Sequence, residues 1–150
     1  MKTDKKILNY LGYPFNHEPF FQIFLSNFIL IGLFSKDIND IFRHILLLGN
    51  GLYLICILKN KFKTKRPNNC QDLNIDYCPK TYDIPSGHSF LSLYWLVVLL
   101  MLQRTYTLPL MFYLAIIPFS RVFLGVHTIK AVSLGSVLGF FWGVLWFFLS

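Results

Sequence analysis

The stretch VSLGSVLGFFWGVLWFFL, Val132–Leu149, runs for eighteen residues without a single charge. As a helix it would rise about 27 Å, close to the roughly 30 Å of a bilayer's hydrocarbon core. Gly135, Gly139 and Gly143 recur every fourth residue within it. That spacing lays a smooth stripe along one helix face, where a second helix can approach closely. Packing inside a bundle is the first reading of the stripe. Association of two copies of the chain through Gly135, Gly139 and Gly143 is the second.

Four more apolar runs lie upstream: Pro19–Phe34, Ile41–Leu58, Ser86–Leu102 and Tyr106–Phe119. All five are near the lower length limit for a membrane span. Apolar residues make up 55% of the 150-residue chain and charged residues only 14%. Soluble domains carry about 25% charged residues. So much apolar surface on so short a chain needs lipid to cover it, and the expected fold is all-α: a multi-pass transmembrane bundle of about five segments, forming one unit. Tyr106, Tyr113, Trp142 and Trp146, near segment ends, suit interfacial positions. No cleavable signal peptide, internal repeat or low-complexity tract is apparent.

The net charge is +7. The basic residues lie between apolar runs and form no stripe, so they suit anionic headgroups and not nucleic acid. Cys56, inside an apolar run, reads as a small buried hydrophobe. Cys70 and Cys78 share a polar loop at a spacing that matches no usual zinc pattern, and are either a disulfide or two free thiols. His17 and His44 have no motif around them and read as structural or interfacial.

The remaining polar residues collect in three clusters at segment ends: Lys59 with Arg66-Pro67, Pro85-Ser86-Gly87-His88, and Ser120-Arg121 with His127. In an alternating bundle the exits of segments two and four and the starts of segments three and five lie on one membrane face, so the clusters converge. Taken singly, Lys59 is a membrane-boundary lysine, Pro85-Ser86-Gly87 a turn with a helix cap, and Arg121 and His127 polar links between helices. Together they make phosphate chemistry. Lys59, Arg66 and Arg121 supply three cations, and arginine's planar fork matches phosphate oxygens. Ser86 and Gly87 stand at a helix start, where free N–H groups and the dipole favour an anion. Two histidines, His88 and His127, allow attack on phosphorus and protonation of a leaving oxygen. There is no dense Asp/Glu cluster of the kind metal-dependent phosphatases use, and no glycine-rich P-loop for ATP. No cofactor is expected.

The order K-x6-R-P, P-S-G-H, S-R-x5-H resembles the type 2 phosphatidic acid phosphatase superfamily over about residues 59–139. The resemblance implies that His127 is the nucleophile that forms a phosphohistidine, that His88 is the general acid, and that Lys59, Arg66, Ser86, Gly87 and Arg121 hold the phosphate without any metal. One position departs from the pattern. An aspartate usually lies four residues after the nucleophile and orients its imidazole; here that residue is Ala131. Some branches, including dolichyl-diphosphate and glucose-6-phosphate phosphatases, also lack it. Asp83, just before the second motif, is a candidate substitute.

The resemblance makes the expected partner a membrane lipid: phosphatidate, phosphatidylglycerol phosphate or a polyprenyl diphosphate. Ala131 and the local His127-Thr128 point toward the polyprenyl type. A lipid phosphotransferase would use the same residues; a silent lipid-phosphate binder, marked by Ala131, is the third reading, and the retention of both histidines and all three cationic residues argues against it. With five spans, eleven Lys/Arg lie on the site's face and three on the other, which places the site on the cytosolic side.

Overall fold

The computed structural model describes residues 38–67, 82–101 and 108–149. The run Pro19–Phe34 and residues His17, Cys70, Cys78 and Tyr106 lie outside them. The described residues form four helices, α1 (Ile38–Phe62), α2 (Gly87–Met101), α3 (Leu108–Phe123) and α4 (Ile129–Phe148), and contain no strand. The all-α expectation holds; a count of five spans goes beyond what these residues contain.

The second apolar run ends at Leu58, but α1 continues through Lys59 and Lys61 to Phe62. Lysines in a last helical turn face the negative end of the helix dipole, so the helix has reason to extend into polar sequence. It stops at Lys63, whose φ of 47° is left-handed and whose N–H reaches back to the Lys59 carbonyl, an αL cap. Arg121, read as lying beyond the fourth run, likewise belongs to the last turn of α3.

α2 is the hub, packing along α4 on one side and α3 on another, while α1 packs on α4. Phe90, Leu91, Tyr94, Trp95, Val98 and Leu99 of α2 are all essentially buried. The outer helices invert a soluble pattern: Phe112, Phe119, Tyr53, Leu46 and Phe148 are exposed at 60% or more. Apolar surface of that extent is what lipid covers. α1 and α4 are long and apolar enough to cross a membrane, whereas α2 and α3 are shorter.

Lipid tails are as apolar as leucine, so close packing, more than the hydrophobic effect, must join these helices. The glycine stripe of α4 does this within the chain. A Cβ on Gly135 would collide with the Ser86 carbonyl oxygen, one on Gly139 with that of Phe90, and one on Gly143 would stand 2.7 Å from Val97 Cβ.

Two expectations need correction. Trp142 and Trp146 do not sit as interfacial anchors. Trp142 donates its indole N–H to the Leu47 carbonyl of α1 at 2.9 Å, and Trp146 is buried with its ring stacked on His44, centroids 5.1 Å apart. Both fasten α4 to α1, because a donor-bearing ring inside a bundle is best placed against a carbonyl or another ring. Cys56 is exposed, not buried, because it lies on the outward face of α1. His44 is structural: it lies between Trp95 and Trp146 and shares a 2.7 Å hydrogen bond with the Tyr94 hydroxyl.

Gly139→Ala is expected to destabilise the protein by about 1–3 kcal/mol, because the new methyl meets backbone that cannot move aside. Gly49→Ala, with nothing within 4 Å of the added carbon, is expected to be neutral or to stabilise by up to about 1 kcal/mol through helix propensity. Thermal unfolding of the detergent-purified variants would show this contrast.

Candidate active site

The three polar clusters meet at one end of the bundle, and each is placed by an identifiable backbone device. The R-x5-H spacing is a helix ending. After Phe123 the chain turns through Gly125, at φ 69°. Gly125 N–H donates to the Val122 carbonyl and Val126 N–H to the Arg121 carbonyl, which is the Schellman pattern. The His127 N–H adds itself to the same Arg121 carbonyl at 3.2 Å. The cap therefore sets the position of His127 relative to Arg121. Thr128 then caps α4, its hydroxyl accepting from Ala131 N–H at 3.2 Å.

Ser86 caps α2. Its Oγ accepts from the Ser89 N–H at 3.4 Å and the Ser89 hydroxyl at 3.0 Å. Its own N–H donates to the Ala131 carbonyl at 2.9 Å, tying the start of α2 to the start of α4. Helix geometry leaves the N–H groups of Gly87 and His88 directed out of that end. The His88 ring lies 6.4 Å from that of His127, centroid to centroid.

The segment after α1 reaches across to the same place. Arg66 Nη1 donates to the Val126 carbonyl at 3.0 Å and lies 3.2 Å from His127 Nε2. Lys59 donates its Nζ to the Tyr82 carbonyl. Arg121 is buried, and its Nε donates to the Ser120 hydroxyl at 3.3 Å. Arg66 and Arg121 are near enough for their positive charges to oppose one another, which a bound anion would relieve.

All seven residues read as site residues — Lys59, Arg66, Ser86, Gly87, His88, Arg121 and His127 — thus lie at this end. Three further participants carry no motif. Asp83 is buried, with Oδ1 2.7 Å from His127 Nδ1. Thr128 donates its hydroxyl to Asp83 Oδ2 at 2.6 Å. Thr64 accepts the Asp83 N–H on its carbonyl at 2.9 Å and the Ile84 N–H on its hydroxyl at 3.0 Å. A threonine directly before an apolar helical run is a helix-cap signal, which could have marked Thr128; nothing in the sequence around Thr64 marks it.

Burial lowers the His127 pKa to about 4, against the upward pull of the Asp83 hydrogen bond and with further lowering by the charges of Arg66 and Lys59. The imidazole is therefore neutral at pH 7. For Asp83, burial alone would raise the pKa, but hydrogen bonds from His127 and Thr128 hold it below the ordinary carboxylate value. A neutral imidazole beside a carboxylate carries its one proton on Nδ1 and donates that N–H to the carboxylate oxygen, and Nε2 keeps its lone pair on the Arg66 side. Among the described residues no group of three or more His, Cys, Asp or Glu stands together as a metal site.

The unfolded chain takes up a proton on His127 near pH 6.5, whereas the folded protein resists it down to about 4. Stability from this group is thus fully present above about 6.5 and is lost as pH falls toward 4. The thermal midpoint of His127→Gln should fall less than that of wild type over this window. Gly125→Ala should cost about 1–2 kcal/mol, the penalty for a side chain in the left-handed region. It should also lower activity more than the loss of folded protein explains, because the same turn sets His127.

The PAP2 superfamily model matches residues 40–150. A solved structure, that of a transmembrane PAP2-type phosphatidylglycerolphosphate phosphatase from Bacillus subtilis, superposes with a TM-score of 0.66 at 19% sequence identity. The match covers 99% of this chain and 75% of that one. A comparison with curated proteins found no match. The four-helix arrangement is thus that of a membrane protein fold, and the chain belongs to the PAP2 superfamily.

Proposed function

We propose that the protein is a metal-independent lipid phosphatase that works through a phosphohistidine on His127. The observation that carries this reading is the meeting of Arg66 and His127 from separate segments, with the His127 Nε2 lone pair facing the guanidinium at 3.2 Å. Arg66 stands where a phosphate oxygen would bind beside the attacking atom. Lys59 and Arg121 add positive charge at the same end, and the N–H groups of Gly87 and His88, at the Ser86-capped start of α2, offer further donors. Such a set stabilises the charge spread over the phosphoryl oxygens in the transition state.

In the first step His127 Nε2 forms a bond to phosphorus as the bond from phosphorus to the lipid oxygen breaks. That oxygen takes its proton from His88. In the second step His88, now neutral, accepts a proton from water. The hydroxyl bonds to phosphorus, the N–P bond breaks, and inorganic phosphate leaves with His127 restored. Only nucleophile, acid–base and charge are required, and each role has a residue.

The exposed aromatic and aliphatic surface of α1, α3 and α4 supports a multi-pass membrane protein whose substrate presents its phosphate from the bilayer. Phosphatidate, phosphatidylglycerol phosphate and polyprenyl diphosphates fit this description, and the basic residues of the site's face support a cytosolic orientation.

Phosphate release by the detergent-purified protein, with EDTA present and phosphatidate or a polyprenyl diphosphate offered, tests the reading. Release should survive EDTA and drop at least about a thousandfold in His127→Ala. Arg66→Lys should lose about ten- to a thousandfold, because a point charge replaces a planar fork. Release that is abolished by EDTA, or unchanged in His127→Ala, would refute it.

A further inference from the structure

Position 131, where the resemblance leads one to expect a carboxylate on α4, is a fully buried alanine. The imidazole it would serve nevertheless has a carboxylate partner from a different loop. We propose that Asp83 is the positioning carboxylate of this site, and that Thr128 and Thr64 fasten it in place. This rests on the reading of His127 as the nucleophile.

The geometry is closed on every side of the Asp83 carboxylate. Oδ1 is 2.7 Å from His127 Nδ1 and 3.3 Å from the Thr128 nitrogen that donates to it. Oδ2 accepts the Thr128 hydroxyl at 2.6 Å. The side chains of Asp83 and His127 are each 1% exposed. A carboxylate so enclosed holds the ring in one orientation and one tautomer, and it balances the positive charge that appears when Nε2 bonds to phosphorus.

The same geometry explains why Ala131 is compatible with a working site. Nδ1 carries one proton, and it donates that N–H to Asp83 Oδ1. A second buried carboxylate on residue 131 would add an uncompensated charge beside the first, which is costly in a desolvated place. Thr128 links the two positions, since its hydroxyl donates to Asp83 while accepting from Ala131 N–H. The carboxylate therefore sits beside the first turn of α4 without belonging to it. Its own backbone is held from the α1 side, by Thr64 on both the Asp83 and Ile84 N–H groups. The orientation of the nucleophile thus depends on the segment that also carries Arg66.

A merely structural Asp83 would stabilise the fold without setting the tautomer, and two measurements on the full-length protein separate the cases. The chain has four histidines, so selective ¹⁵N-histidine labelling gives a short spectrum in which His127 is identified by its loss in His127→Gln. At pH 7 the wild type should show a protonated Nδ1 and a bare Nε2 on His127. Asp83→Asn, nearly isosteric, should lose that state in favour of the Nε2–H form. In phosphatidate turnover, Asp83→Asn should lower kcat by about 10²- to 10⁴-fold with KM changed less than about threefold. Thr128→Val, which keeps the carboxylate but removes its hydroxyl donor, should lower kcat by about tenfold. An unchanged His127 tautomer together with kcat within about threefold of wild type in Asp83→Asn would overturn the proposal. If the wild type itself shows no His127-dependent turnover, the phosphatase reading fails, and the tautomer spectrum still decides whether Asp83 positions the ring.

Discussion

The site depends on how closely α4 lies against α2. Where Gly135 and Gly139 pass the carbonyls of Ser86 and Phe90, there is no space for a single added carbon. That contact brings the first turns of the two helices together, so that the Ser86 N–H reaches the Ala131 carbonyl and the two histidine rings stand 6.4 Å apart. In a lipid surround, packing of this kind is the main force available between helices. The glycines that make the fold hold together are therefore the same ones that set the spacing of the chemistry.

Two helix endings complete the placement. The left-handed Lys63 sends the chain back from α1 so that Thr64 meets the Asp83 loop and Arg66 meets His127. The left-handed Gly125 turns α3 into α4 and hangs His127 on the Arg121 carbonyl. Motif spacings such as R-x5-H thus have a mechanical meaning: five residues are what a last helical turn and its Schellman cap require before the next polar side chain can face inward.

Much of this was legible in the residues. Apolar runs marked the helices, and polar clusters at run ends marked the site, because burying them in lipid is expensive without a purpose. Boundaries were less legible. Lys59 and Arg121 look like loop residues by polarity, yet both complete last helical turns, where the dipole favours cations. Trp142 and Trp146 looked like interfacial anchors because they lie near a segment end. Which face of a helix a ring occupies depends on its neighbours, here Leu47 and His44, which are about a hundred residues away in sequence. Asp83 could be named as a candidate from its place just before the second motif, but its contact with His127 spans 44 positions and follows no motif, only the tertiary arrangement of two loops.

The proposed reaction passes a phosphoryl group through His127. The most direct measurement is to react the purified protein briefly with phosphatidate labelled in its phosphate, quench in base, and separate the chain under denaturing conditions. Label is expected on the protein, stable in base, released by acid and absent from His127→Gln. A wild type that releases phosphate yet never carries label, or label that persists in His127→Gln, would contradict that reaction.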